Sequence, residues 1–237
     1  MPAPDRSVAV FSTLFLQYSQ AFIHDELRHH RRYRAEVFCR RRTNADLFPY
    51  EPVHTLDDRT GLLARAEAAL YVTTTLSPTV ARRLASRRFD LLHAHFGPGS
   101  VYALPYHAGL GLPLVVTFHG YDVPLLSSRR RFLPAYWRYW AASKWLLRTV
   151  DRFLAVSEDL AESLLRLGAP PERVRVERLG VELPPRARPV TEPRVLMVGR
   201  FIEKKGFEYG LRGFARVAER FPAARLTVVG DGERRSR

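Results

Sequence analysis

The sequence predicts an α/β protein: a mainly parallel, doubly wound sheet followed by the first βαβ of a second one. Three observations predict it. Short, near-continuous apolar runs alternate with helix-patterned stretches along the chain, the pattern of strands covered on both faces by crossover helices. The alternation breaks once, over residues 182–193, where four prolines fall in twelve residues, a density that neither a sheet interior nor a helix tolerates. A strand, a helix and a strand then follow, with glycines and cations at the strand ends.

Residues 7–15 (SVAVFSTLF) form the first strand, and 22–32 a helix with Phe22, Ile23 and Leu27 on one side. Residues 35–41 (AEVFCRR) form the second strand, and 61–88 are helical with a break near Ser77-Pro78. Four further strands occupy 90–96, 113–118, 151–157 and 174–179, separated by helices near 100–110, 128–149 and 158–167. In the last of these helices Glu158 and Asp159 suit the positive N-terminal end, and Gly168 is placed as the C-cap. The expected organisation is a domain over 1–182, a Pro-rich linker over 183–193 and the start of a second domain over 194–237. About 44 residues cannot close a core alone, so that second domain is expected to be incomplete or to lean on the first.

Composition narrows the function classes. Hydrophobic residues make up 46%, which excludes a disordered chain. The single Cys39 excludes an internal disulfide and reads as a buried, inert thiol in a reducing compartment. No apolar run approaches the roughly 18 residues of a membrane span, and the start, Met1-Pro-Ala-Pro-Asp-Arg, lacks the features of a signal peptide. A soluble, cytoplasmic protein is expected. The net charge of +14 comes from 35 Arg and three Lys (Lys144, Lys204, Lys205). Arginine-rich solvated faces account for it; no nucleic-acid recognition motif accompanies the charge, and no nucleic-acid partner is expected.

The polar exceptions cluster at strand carboxyl ends, the ligand edge of an open α/β sheet. Ser12 lies on the first strand, His93, His95 and Gly97 at the end of 90–96, His119, Gly120 and Asp122 after 113–118, and Ser157 after the next strand. His95 is placed better than His93, and His119 better than both, with Asp122 available to orient it. Gly199 and Arg200 end the strand after the linker, and Lys205 follows five residues later beside Gly206. Two cations with helix N-terminal N–H groups suit a pyrophosphate, and Gly230 and Gly232 offer room for a ligand to approach the backbone. A second basic region, 129–148, holds all three Trp; Leu133, Trp137, Trp140 and Leu147 fit one helical face, read first as core and alternatively as an interfacial helix against anionic lipid. The basic runs 28–34 and 40–42 could extend the same surface.

Together these segments resemble glycosyltransferase family 4, the retaining GT-B enzymes of exopolysaccharide and colanic-acid type. The resemblance is carried by Gly199-Arg200…Lys204-Lys205-Gly206-Phe207…Gly230-Asp231-Gly232, by Asp90 to Gly97, by Val116 to Asp122, by Ala155-Val-Ser157-Glu…Leu167-Gly168, and by Tyr18-Ser-Gln-Ala-Phe22-Ile. It implies two Rossmann-like domains, the N-terminal one for the acceptor and the C-terminal one for a nucleotide diphosphate sugar. A hexose would pass to a polysaccharide or lipid-linked acceptor with retention and without a metal or other cofactor. By position, Arg200 and Lys205 match the pair that stabilises the leaving diphosphate, and His119 matches the histidine near the donor sugar. Gly199 and Gly230 fall in the donor site, and Ser12, His95, Gly97, Asp122 and Ser157 in the acceptor cleft. The chain departs from the family at Leu179-Gly-Val-Glu182, where Asn-Gly-Val-Asp is usual. The family's Glu-x7-Glu pair is absent from these residues and expected beyond residue 237, so the 237-residue chain is expected to hold half a donor site and to be inactive by itself. A non-catalytic membrane or partner adaptor built on the same fold is the alternative, and seating on the inner face of a membrane would suit either.

Overall fold

A computed structural model describes residues 6–57, 59–134, 136–183, 185 and 192–233. The chain divides into two units, Met1–Val181 and Glu182–Arg237. Residues 184 and 186–191 of the expected linker lie outside the described residues.

The first unit is built on seven parallel strands: β1 (Arg6–Phe15), β2 (Tyr33–Arg42), β3 (Val53–Thr55), β4 (Leu91–His95), β5 (Leu114–Phe118), β6 (Arg152–Ala155) and β7 (Val174–Val176). Their order is β3-β2-β1-β4-β5-β6-β7, with every neighbouring pair parallel. The chain winds outward from β1 to one edge and then returns to wind toward the other. The reversal falls between β1 and β4, and a crevice forms there at the carboxyl ends. Alternation along the strands divides the core in two. Val8 and Val10 of β1, with Ala35, Val37 and Cys39 of β2, pack in one cluster with Ile23 and Leu27 of α1 (Ala21–Arg28). Ala9 and Phe11, with Phe38, enter the larger cluster on the opposite face, with Leu104 of α4 (Gly97–Leu110) and Leu146 of α6 (Trp137–Thr149).

Several element boundaries differ from the sequence reading, each for a local reason. The 22–32 helix stops at Arg28, and His29 closes it by donating its N–H to the carbonyls of the last turn. The 61–88 stretch is two helices, α2 (Leu62–Thr74) and α3 (Pro78–Ser86). Thr75 turns left-handed at φ 65°. Ser77 then starts α3: its Oγ accepts the Val80 N–H at 3.1 Å and donates to Glu67 Oε1 at 2.5 Å. β3 has no counterpart in the sequence reading; its three residues are too few to show a period. The 128–149 stretch is a 3-10 turn (Arg129–Phe132) and then α6, preceded by a short helix, α5 (Asp122–Ser127), that the sequence reading did not place. α7 (Glu158–Arg166) begins at Ser157, whose Oγ accepts from the Leu160 N–H, and ends at Gly168 with φ 95°.

The core reading of the aromatic segment holds for Leu147 and is corrected for Leu133, Trp137 and Trp140. Tyr139, Leu146 and Leu147 form the buried face of α6. Trp137, Trp140 and Trp145 are 43–48% exposed, and Leu133 precedes the helix and is also exposed. At 100° per residue the three Trp share the outer face with Lys144 and Arg148.

The second unit holds β8 (Arg194–Val198), a 3-10 turn (Glu203–Lys205), α8 (Phe207–Arg220) and β9 (Arg225–Val229). β8 and β9 pair in parallel, and Leu196, Val198, Leu211 and Val229 remain exposed.

Gly97 opens α4 against the ring of Tyr139, which is 2% exposed; a Cβ at Gly97 would overlap that ring. Gly97→Ala is therefore expected to lower the unfolding free energy by about 1–3 kcal/mol, the usual cost of overpacking a closed core. Urea denaturation followed by tryptophan fluorescence measures it.

Candidate functional site

The loops that follow β4 and β5, beside the crevice between β1 and β4, are held together by one buried carboxylate. Asp122, at the start of α5, is 0% exposed. Its Oδ2 accepts the Gly97 N–H and its Oδ1 the Gly120 N–H, each at 3.0 Å. The loop after β4 and the loop after β5 are thereby joined. Burial pushes the Asp122 carboxyl up, against the pull of these backbone N–H groups. Asp122 does not hold the imidazole of His119, as the sequence reading had it; it holds the backbone on which His119 and Gly97 stand. The residue between strand and helix here, Phe96, has φ 65° and ψ 146°, outside the regions open to a bulky side chain, and backbone strain of this kind gathers at functional turns.

Three histidines meet above the sheet. His95 Nδ1 lies 3.2 Å from His119 Nε2, so one of the two nitrogens carries the shared hydrogen. His93 Nε2 lies 2.8 Å from the Thr117 hydroxyl. The His119 ring sits between Phe22, centroids 4.7 Å apart, and Phe96, 4.5 Å apart. His95 is fully buried and His93 nearly so, which leaves His119 as the most accessible of the three. Burial holds His119 down at about 4, and lowers His93 and His95 as well, so all three imidazoles are neutral at pH 7. His119 Nδ1 and His95 Nε2 are buried without a protein partner among the described residues. Glu26, on α1, opposes them: burial raises its carboxyl, but His30, 3.9 Å away, and the other histidines around it outweigh that and lower it to about 2. Glu26, His93 and His95 each place a ligand atom within 4.8 Å of the others, a donor set able to accept a cation.

Beside the histidines lies a cavity of about 490 Å³. Its wall takes Thr13 and Leu14 from β1, Arg40 and Arg41 from β2, Pro98 from α4 and Tyr121 from the loop after β5, all at the carboxyl edge. Arg138 and Tyr139 of α6 complete it, with Tyr102 and Tyr136. The sequence reading passed over most of these residues. The sequence reading let the 40–42 run extend the basic surface of 129–148, but as a surface; the strand order brings Arg40 and Arg41 to Arg138, about a hundred positions away, in the wall of a cavity.

Other expected cleft residues have local duties. The Ser12 hydroxyl donates to the Leu14 carbonyl at 2.9 Å, and Ser157 caps α7. Gly97 makes room for Tyr139. In the second unit, Arg200 and Lys205 are exposed on the turn that follows β8, with Gly199 at its start. Gly230 and Gly232 admit a close approach of protein backbone. A Cβ at Gly230 would strike the Gly199 carbonyl, and one at Gly232 would lie 2.7–3.0 Å from the Phe201 backbone. The Phe201 N–H donates to the Asp231 carbonyl at 2.9 Å, which fixes the cationic turn against the end of β9.

The profile described as Glycosyltransferase Family 4 matches residues 23–183. WcaL of Escherichia coli (strain K12), whose name assigns it to colanic acid biosynthesis as a glycosyltransferase, is 31% identical over 160 residues, covering 63% of this chain and 37% of WcaL. The sulfoquinovosyl transferase SQD2 of Arabidopsis thaliana is 28% identical over 174 residues, 66% of this chain and 33% of that protein. The chain thus spans little more than a third of the curated relatives it matches. Among solved structures, Anabaena HepE in complex with UDP and glucose superposes with a TM-score of 0.66 at 17% identity, over 96% of this chain and 61% of that one. At that identity the likeness establishes the fold, which is GT-B.

The depressed His119 sets a pH dependence. Between about 6.5 and about 4 the unfolded chain binds a proton on this residue that the native chain does not, so stability falls as pH falls through this window. The contribution is at most about 3.5 kcal/mol. Thermal melts of the parent and of His119→Gln from pH 7.5 to pH 4 measure it: the parent is expected to lose more stability than the variant across the window.

Proposed function

The chain belongs to glycosyltransferase family 4, and on that premise we propose that it serves hexosyl transfer from a nucleotide diphosphate sugar to a polysaccharide or lipid-linked acceptor, in cell-surface polysaccharide synthesis. The observation that carries the proposal is the fixed turn after β8, which carries Arg200 at its beginning and Lys205 at its end, just before the start of α8. In the transfer the bond between the anomeric carbon and the diphosphate oxygen breaks. A bond from the acceptor oxygen to that carbon forms, and the acceptor's hydroxyl proton leaves with the departing phosphate. Negative charge grows on the leaving oxygen, and two fixed cations stabilise it without a metal. Retention means that the new bond forms on the face the diphosphate leaves. His119, neutral and with Nδ1 unpartnered, is assigned to a hydroxyl of the donor sugar; because Nδ1 is shielded, the ring must turn outward to reach it. The cavity beside it is assigned to the acceptor.

Arg200→Ala and Lys205→Ala are each expected to weaken nucleotide diphosphate binding about tenfold or more, the loss of a charge-assisted hydrogen bond. Calorimetric titration with UDP and with GDP checks this, and unchanged affinity in both variants contradicts the phosphate role.

We also propose a peripheral seat on anionic membrane. No helix among the described residues is long and apolar enough to cross a bilayer. The outer face of α6, however, sets Trp137, Trp140 and Trp145 among Lys144 and Arg148, the composition of an interfacial helix. Arg131 adds to it, stacked 4.8 Å from the exposed Phe132 ring. Flotation with phosphatidylglycerol vesicles is expected to retain the chain at low salt and release it as salt rises. The triple Trp→Ser variant is expected not to float. A non-catalytic adaptor would show this binding with no nucleotide affinity.

A further inference from the structure

We propose that the cavity between β1, β2 and α6 binds an oxyanion carried by the acceptor, with Arg138 and Tyr139 as its principal donors and Arg40 and Arg41 flanking it. The inference rests on the acceptor assignment above and gives that acceptor a chemical class: a phosphate or diphosphate, or the carboxylate of an acidic sugar.

The first ground is charge. Three arginines line the cavity, and no acidic residue does among those described. Arg40 and Arg41 are not equivalent to Arg138. Both pair with Asp57, at 3.0 and 3.3 Å, so one carboxylate already balances part of their charge. Arg138 has no carboxylate within 4.0 Å among the described residues; its guanidinium lies 5.5 Å from the Trp137 ring. A guanidinium keeps its proton throughout the physiological range, so the wall carries a standing positive charge.

The second ground is unsatisfied donors. Arg138 Nε and the Tyr139 hydroxyl are buried and lack a hydrogen-bond partner among the described residues. Buried donors of this kind are rare in native proteins, since leaving one unmade costs more than a typical hydrogen bond contributes. Here two adjacent residues in one cavity wall each carry one. Both atoms are shielded, the Tyr139 hydroxyl against Gly97, so the side chains must shift toward the cavity to meet an anion. Burial also raises the Tyr139 phenol far above its ordinary range, so it remains a donor and never competes as an anion.

The third ground is shape. Tyr102, Tyr121 and Tyr136 line the same wall, aromatic surface suited to the apolar face of a sugar, and Gln17 and Gln20 add neutral polar groups. The Arg138 end of the cavity adjoins the aromatic outer face of α6 through Trp137. An anion joining a sugar to a lipid tail would lie where these two surfaces meet.

The test uses the whole chain carrying Arg200→Ala and Lys205→Ala, so that the cations assigned to the donor cannot bind the probe. Inorganic pyrophosphate, glucuronate and glucose are titrated separately by calorimetry. Pyrophosphate or glucuronate is expected to bind, with glucose at least tenfold weaker, and the stronger of the two anions identifies the source of the charge. Arg138→Gln is expected to weaken that binding about tenfold or more. Tyr139→Phe, which removes only a hydroxyl with no protein partner, is expected to weaken it severalfold while leaving the melting temperature at or above that of its parent. Equal affinity for glucose and both anions, absence of anion binding, or anion binding unchanged in both variants would overturn the proposal. Such a failure leaves the donor assignment standing, because that assignment is read from UDP and GDP binding to a chain with Arg200 and Lys205 intact.

Discussion

The carboxylate of Asp122 is the constraint on which the first unit's site depends. A doubly wound sheet places the ends of β4 and β5 side by side, but it does not fix the loops that leave them. Asp122 does so by taking one N–H from each loop at 3.0 Å in a position closed to water. Those two loops carry Phe96 and Gly97 on one side and His119 and Gly120 on the other. The strained Phe96 backbone, the contact of Gly97 with Tyr139 and the stacking of His119 on Phe96 all follow from that junction. Its energetic cost is the burial of a charge, offset by hydrogen bonds that have no competitor in the interior.

From that junction the site divides by charge. On one side are three neutral imidazoles, depressed by burial and arranged against Glu26. On the other is a cavity with a surplus of guanidinium. A neutral group able to bond a hydroxyl thus lies next to a wall that attracts anions, an arrangement suited to holding a sugar and a charged attachment point together. The second unit repeats the device with different parts. Close backbone approaches at Gly230 and Gly232 lock the turn that displays Arg200 and Lys205.

Much of this architecture was legible in the sequence, because strand burial on two faces leaves near-continuous apolar runs that only helices can cover. β1, β4, β5 and β6 came out close to their observed bounds for that reason. β3 was not legible, since three residues carry no period, and it pairs by register with β2 rather than by pattern. The Trp residues of α6 were misread as core because helical spacing reveals that a face exists without revealing which side of the helix packs. Tyr139 and Leu146 occupy the opposite face and took that place, while Leu147, at the border of the two faces, is buried as read. At the site, the strand-end residues His95, His119 and Asp122 were found by position, whereas the partner of Asp122 was not. A carboxylate that bonds backbone N–H groups leaves no trace in side-chain identity. Arg40, Arg41, Arg138 and Tyr139 were legible only as parts of one basic surface; that they wall a cavity appears only once the strand order is known.

The central claim is that the turn after β8 holds a nucleotide diphosphate sugar. Photolabelling tests it most directly: the chain is irradiated with 5-azido-UDP-glucose, with and without excess UDP, and the modified peptides are mapped by mass spectrometry. The account predicts UDP-protected label on peptides from the second unit, centred on residues 199–232. Label confined to the first unit, or label that excess UDP does not suppress, would contradict it.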